Sequence, residues 1–191
     1  LDMRMGKCEL SAFEVINEFS EEQLADIIFK YSNERLAKKI ASTIFYERKN
    51  GIIQTTTQLA ELIYKTYGTP RHYKIHPATK TFQAIRVFVN NELGEIEALL
   101  ASSKTVLKPQ CRLVCVSFHE LEDRLVKNFL AENSQKREKH NKYSSDINEG
   151  KHNALFEIII KKPIEPTAEE VKLNPRSRSA KLRCGERMFS I

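Results

Sequence analysis

The chain lacks several features that would have fixed its class at once. No apolar run approaches the roughly 18–20 residues of a membrane-spanning helix, and its first ten residues, LDMRMGKCEL, contain no apolar stretch of the signal-peptide kind. The four cysteines, at 8, 111, 115 and 184, form no C-x-x-C pair. This excludes a zinc ribbon or a dithiol redox motif. Cys111 and Cys115 flank or lie in an apolar strand and read as small core residues. Such cysteine usage fits a reducing, cytoplasmic location. Only six glycines occur and none are clustered, so the chain supplies no Walker A or G-x-G-x-x-G loop for a nucleotide cofactor. There is no G-x-S-x-G nucleophile elbow either. His76 and His119 have no spaced carboxylate or third imidazole beside them, and no metal site is expected. The first residue is Leu rather than Met, which reads as a fragment, a processed product or a partial chain.

What is present is ordinary for a globular protein of 191 residues: 41% apolar and 29% charged, enough for one large domain or two small ones. The net charge of +6 permits nucleic-acid binding without establishing it.

The densest signal is residues 74–100, KIHPATKTFQAIRVFVNNELGEIEALL. His76-Pro77 biases the preceding backbone away from helix. From Ala78 the spacing predicts one long amphipathic helix, with Phe82, Ile85, Val89, Leu93, Ile96 and Leu100 on one face. Its first turns carry His76, Thr79, Lys80, Thr81, Gln83, Arg86, Asn90 and Asn91. Thr and Asn are weak helix formers. A polar pocket is one reading of them; helix capping and solvation are the other.

Before this stretch, Ser11 to Gly68 reads as helical throughout, with no strand pattern. Ser11 can cap a short helix. Ser20 with Gln23 and Thr55 with Gln58 make capping boxes, and Asn33 can cap a third helix ending near Asn50-Gly51. That third helix carries Arg35, Lys38, Lys39, Arg48 and Lys49. After the long helix, Arg112–Ser117 (RLVCVS) reads as a buried strand of a parallel sheet and Leu121–Leu130 as a helix. Residues 133–153 read as a basic mobile loop, and Leu155–Ile160 as a second strand. Thr167 with Glu170 makes a further capping box, and a basic tail follows from Arg176. Helix, strand, helix, strand is an α/β pattern. Two strands do not make a stable open sheet, so the remaining strands are expected from an upstream part.

Ligands of open α/β sheets bind beyond the C-terminal ends of the strands. That position is Ser117-Phe118-His119-Glu120-Leu121-Glu122-Asp123-Arg124. His119 is a candidate general base. The acids there also suit the positive end of a helix, so a purely structural role stands beside the functional one.

The blocks LDMRM (1–5), FSEEQLADIIFKYSNERLAKKIA (19–41), TTTQLAELI (55–63), IHPATKTFQAIRVFVNNELGEIEALL (75–100), RLVCVSFHELEDRLVKNF (112–129) and NPRSRSAKLR (174–183) together resemble the bacterial small-subunit ribosomal RNA cytosine-N4 methyltransferases. Lys80 stands where that family usually has Arg, and Glu120 where it usually has Ser. The resemblance implies an incomplete class I, Rossmann-like α/β methyltransferase sheet with an inserted all-helical subdomain. Residues 1–10 would end the N-terminal methyltransferase segment, 11–72 would be the helical substrate-binding insert, and 73–191 the C-terminal part with its basic tail. The cofactor implied is S-adenosyl-L-methionine. The family's glycine-rich cofactor loop lies upstream of the LDMRM block, and the Asp-Gly-Pro that usually precedes the block is missing, so this chain alone is expected to bind the cofactor poorly or not at all. The implied substrate is a decoding-centre cytidine. The partner would be small-subunit ribosomal RNA or the assembled small subunit, in the cytoplasm and without a membrane; a homodimer stays open.

A cytosine exocyclic amine is a weak nucleophile that must be oriented and must lose a proton late, so positioning supplies most of the rate. The target base must also leave its stack, so a pocket should read its pairing edge. By the resemblance, Asp2, His76, Ser117 and His119 are the catalytic candidates, Asp2 as an acceptor from the amine. Thr79, Thr81, Gln83, Arg86, Asn90 and Arg124 are substrate contacts. Arg4, Lys80, Arg176 and Arg178 are phosphate contacts, which position without specifying sequence. Two alternatives stand beside the enzyme reading: an RNA-binding remnant without catalysis, and a decayed product whose incomplete sheet does not fold stably.

Overall fold

The computed structural model describes residues 1–6, 9–68, 75–134 and 154–189. The basic segment expected as a loop over 133–153 falls outside these from residue 135 to 153, as do Cys8 and residues 69–74. The architecture is mixed α/β, with many helices and a small antiparallel sheet. The chain divides into two compact units, Leu1–Glu92 and Leu93–Ile191.

The first unit is helical: α1 (Ala12–Glu18), α2 (Glu21–Ser32), α3 (Ala37–Glu47), α4 (Thr56–Thr66) and α5 (Thr79–Val89). Local chemistry sets most starts. Ser11, Ser20 and Thr55 each accept from the backbone N–H three residues on, and Glu14, Gln23 and Gln58 reach back to the cap N–H, forming three reciprocal capping boxes. Asn33 does not cap the third helix. It closes α2 instead, with φ 50° in the left-handed region and its N–H donating to Phe29 O. Asn tolerates that conformation better than most residues. α3 then starts without a side-chain cap, after a turn in which the Glu34 carboxylate accepts from the Leu36 N–H at 3.0 Å. α2 packs on α3 and α5, α3 on α4, and α1 on α5. Val15, Ile16, Leu24, Ile28, Ile40, Ile44, Leu59, Ile63 and Ile85 are fully buried in the resulting core. Each such side chain contributes about 1.5–3 kcal/mol relative to exposure.

The single long helix expected from Ala78 to Leu100 is two helices, α5 and α6 (Glu92–Val106). Asn91 interrupts them with φ 47°. The apolar stripe that suggested one helix serves two cores: Phe82, Ile85 and Val89 join the core of the first unit, while Ile96 and Leu100 join that of the second.

The second unit holds β1 (Arg112–Ser117), α7 (Glu120–Glu132), β2 (Phe156–Ile158), α8 (Ala168–Leu173), a 3-10 turn (Pro175–Ser179) and β3 (Lys181–Arg187). The expected parallel sheet is antiparallel, in the order β1-β3-β2. Its central strand comes from the residues read as a basic tail. β1 is an edge strand and not a buried one: exposure alternates along it, and Val114 and Val116 are each 53% exposed. Cys115, half-buried, packs against the second core as expected, whereas Cys111 is exposed and the fully buried thiol is Cys184. Leu113, Cys115, Arg183, Gly185, Phe156 and Ile158 share one face by register. At Gly185 a Cβ would stand 2.6 Å from Leu130 Cδ2, so α7 approaches the central strand where only glycine leaves room.

The same face carries a buried ion pair. Arg183 on β3 donates to both oxygens of Asp123 on α7, from Nε at 2.6 Å and from NH2 at 3.0 Å, and Lys181 Nζ stands 3.8 Å away. The Arg183 guanidinium, followed by Lys181 and Lys127, outweighs the effect of burial and holds the Asp123 carboxyl below its usual range. Replacing Asp123 by Ala leaves a buried guanidinium without its partner and should cost about 3–5 kcal/mol in urea unfolding. Because the folded carboxyl has the lower pKa, its stabilisation is complete above the ordinary carboxylate range and is lost as pH falls through the folded value. Thermal melts of the wild type between neutral and strongly acidic pH should show that loss, and Asp123→Ala should show less of it.

Candidate functional site

In the first unit the candidate residues lie at the two ends of α5. At its C-terminal end Asn90 binds the N-terminal segment. Its Nδ2 donates to Met3 O and to Arg86 O, both at 2.8 Å, and its Oδ1 accepts from the Met5 N–H at 2.7 Å. Met3 takes φ 60° at that junction, and Asp2 O accepts from the Ala12 N–H at 2.8 Å. This fixes Asp2 and Arg4 beside Asn90. Arg4 donates to both Asp2 oxygens, at 2.5 and 3.0 Å, and its guanidinium holds the exposed carboxyl below the usual range. Arg86 is held by Glu92 through two bonds of 2.7 and 3.0 Å.

At the other end, about 15 Å away along the axis by the helical rise, the His76 Nδ1 accepts from the Ala78 N–H at 3.2 Å and its carbonyl from the Thr79 N–H at 2.9 Å. The ring stacks on Tyr64 with centroids 6.0 Å apart, beside a shallow recess of about 400 Å³ lined by Thr57, Ala60, Glu61, Tyr64 and Lys65. Lys80 is exposed, with the buried Glu34 carboxylate 3.9 Å from its Nζ. Thr79 is exposed and Gln83 half-buried. Thr81 is fully buried, and its Oγ1 has no hydrogen-bond partner among the described residues.

In the second unit the candidates gather at one end of the sheet. Ser117 is buried and its Oγ donates to the carbonyl of Lys181, its register partner, at 3.3 Å. Arg176 and Arg178 lie on the 3-10 turn immediately before Lys181, and their side chains have no acidic partner among the described residues. Arg124, on the exposed side of the first turns of α7, has none either.

His119 is the N-cap of α7. Its Nδ1 accepts from the Glu122 N–H at 3.4 Å, while Glu122 Oε2 accepts from the N–H groups of Phe118 at 2.7 Å and His119 at 3.3 Å. A neutral ring with Nδ1 accepting carries its proton on Nε2. That atom sits 3.1 Å from Glu122 Oε1 but out of line for a hydrogen bond, and it is buried. Burial pushes the Glu122 carboxyl up, but the close His119 ring and the backbone N–H groups of Phe118 and His119 outweigh it and hold the group below its usual range.

Reading the sequence for Ser, Thr and Asn caps missed this box, although the His-x-x-Glu spacing carries it. It also missed the Asp123–Arg183 pair, whose members are 60 residues apart with nothing local to link them.

Gly6, Gly51 and Gly68 stand apart with open space around them, and Gly185 is filled by Leu130.

The family model of the MraW methylases matches residues 1–188, and the chain belongs to this family. Relatives in Rickettsia typhi and Rickettsia prowazekii, each named ribosomal RNA small subunit methyltransferase H, are 48% identical over 189 residues. These cover 99% of this chain and 61% of each relative, so the chain spans less than two thirds of the relatives' length. Among the described residues no helix is long and apolar enough to cross a membrane.

The His119 geometry makes a direct prediction. His119→Ala should lower stability by about 1 kcal/mol in urea unfolding through loss of the cap, and His119→Asn, which restores a cap acceptor, should recover most of it.

Proposed function

We propose that this chain is the RNA-holding and target-base part of an S-adenosylmethionine-dependent methyltransferase that modifies the N4 amine of a cytidine in small-subunit ribosomal RNA. The observation that carries the reading is the match of the family model to nearly the whole chain, together with the names of its relatives. In this reading residues 11–72 are the substrate-binding insert, and the three-stranded sheet is part of a larger Rossmann-like sheet. The edge of β1 supports the latter. Cys111 O accepts from the Arg187 N–H, so by alternation the backbone groups of Arg112, Val114 and Val116 point away from β3. Such an edge is a template for further pairing.

The scattered glycines do not fit a cofactor site. The chain's own residues orient the base and hold the RNA. Asp2 remains ionised and exposed beside Arg4, as an acceptor for an amine N–H requires. His76, at its recess, offers a ring face and Nε2 to a base edge. Ser117 and His119 act at the strand end, His119 by fixing the start of α7. Among the cations, Arg86, already neutralised by Glu92, acts mainly by holding its helix. Arg124, Arg176 and Arg178, without acidic partners among the described residues, take phosphates.

The test is to fuse the chain to the part of the Rickettsia typhi relative that it does not match, and to look for N4-methylcytidine in small-subunit RNA by mass spectrometry. A folded fusion that leaves the RNA unmodified sinks the reading. Arg176→Gln with Arg178→Gln should raise the KM for RNA about tenfold with little change in kcat, the pattern expected when ground-state and transition-state binding are lost equally. His76→Ala should lower methylation without unfolding the protein. For the unfused chain, a calorimetric titration should show no heat of S-adenosylmethionine binding; a saturable signal would place cofactor contacts on residues described here.

A further inference from the structure

A group of side chains on α3 is used by none of the above. Lys38, Lys39, Ser42 and Tyr46 recur at helical spacing on one face, continued by Lys49 in the following turn and preceded by Arg35. Arg35, Lys38, Lys39, Tyr46 and Lys49 are all exposed, Tyr46 to 59%. None of the four cations has an acidic partner among the described residues. Glu47, the acid within α3, is turned about 100° from Tyr46. The opposite face supplies Ile40, Ala41 and Ile44 to the core, so the backbone under the patch is anchored.

The exposed tyrosine ring is flanked by Phe45 and Lys49. Phe45 meets it edge-on with centroids 5.7 Å apart and planes at 86°, and Lys49 Nζ stands 4.7 Å from both ring centroids. Arg48, 4.8 Å from the Phe45 ring, donates to Ile16 O and so ties the end of α3 to α1. A surface that only solubilises usually mixes charges of both signs and carries few exposed aromatics. Here one sign dominates, and an oriented ring is set among the cations. Cations that track phosphates beside an aromatic platform are the means by which proteins hold unpaired nucleotides.

We propose that this face of α3 is an RNA-contact surface that stacks an unpaired ribosomal RNA nucleotide on Tyr46 and holds the flanking phosphates with Arg35, Lys38, Lys39 and Lys49. The assignment rests on the ribosomal RNA reading above and adds to it a contact that chooses single-stranded over duplex segments.

The experiment measures fluorescence anisotropy of the 191-residue chain with a short mixed-sequence single-stranded RNA and with a duplex of the same strand, over a range of salt. Lys38→Gln with Lys39→Gln should weaken single-strand binding about tenfold and reduce the slope of log K against log salt by about 1.4, the loss of two single-strand phosphate contacts. Tyr46→Ala should weaken single-strand binding about tenfold and leave the duplex unchanged, while Tyr46→Phe should bind as wild type. The substituted residues are exposed, and circular dichroism checks that the helices persist; Lys49→Gln repeats the charge test at a position outside α3. Wild-type affinity in the lysine variants, or an equal effect of Tyr46→Ala on both RNAs, overturns the proposal. Normal binding to free RNA with loss of binding to purified small subunits also overturns it, by giving the face to a ribosomal protein. Methylation by the fused chain is read separately, so a fusion that methylates while the α3 variants bind RNA normally removes only the α3 assignment.

Discussion

The side chain of Asn90 is the constraint on which the first unit's candidate site depends. One amide closes α5 through Arg86 O and clips the chain 85–87 residues earlier through Met3 O and the Met5 N–H. Together with the Ala12 N–H bond to Asp2 O, those bonds hold Asp2 and Arg4 beside the end of α5. A carboxylate could not do this, because it has no N–H to donate to two carbonyls. A lysine could not accept from Met5. The amide carries both donor and acceptor, which gives the Asn a structural reason to stand where a helix surface would ordinarily favour Glu or Lys.

The second unit has a different fastening. Its apolar core is small, centred on Leu100, Val126, Leu130 and Phe156, and an ion pair between Asp123 and Arg183 ties the first turns of α7 to the central strand. Buried ion pairs gain little net stability over apolar packing, but they penalise any arrangement that separates the partners. Together with the glycine at 185, which admits Leu130, the pair sets the register of α7 over β3. Ser117 and the cap at His119 then fall at the same end of the sheet as Arg176 and Arg178. The position of the strand-end candidates is thus a consequence of two contacts that neither strand nor helix propensity contains.

What was legible in the sequence was what local chemistry decides. The capping boxes at Ser20 and Thr55 and the α7 apolar face were readable because every partner lies within four residues. The break at Asn90-Asn91 was not, because the apolar stripe runs through it in phase and the interruption is made by contacts to Met3 and Met5. β3 was not, because Lys181–Arg187 alternates charge with small and apolar residues and looks like a solvated tail until β1 and β2 pair on either side of it. β1 misled in the opposite sense: RLVCVS has the composition of a buried parallel strand, yet its two valines point outward. Of the candidate residues, Asp2 came from a motif block, His76 from the polar entrance of residues 74–100 and His119 from its place beyond a strand end, and the structure adds to each a local partner that those readings could not reveal.

Those partners bear on how the chemistry would be divided. A histidine whose Nδ1 caps a helix is oriented without cost to its Nε2, so capping and catalysis need not compete at His119; they do compete for the space around Nε2, which is buried against Glu122 Oε1. For that nitrogen to meet a substrate, the Glu122 carboxylate must turn aside. Its two oxygens move together, so the Oε2 bonds to the Phe118 and His119 N–H groups would loosen, while the Nδ1 cap, which uses the Glu122 backbone N–H, is unaffected. Stability and methylation at this position are then separable properties: the cap belongs to Nδ1, and any contact with the base belongs to Nε2.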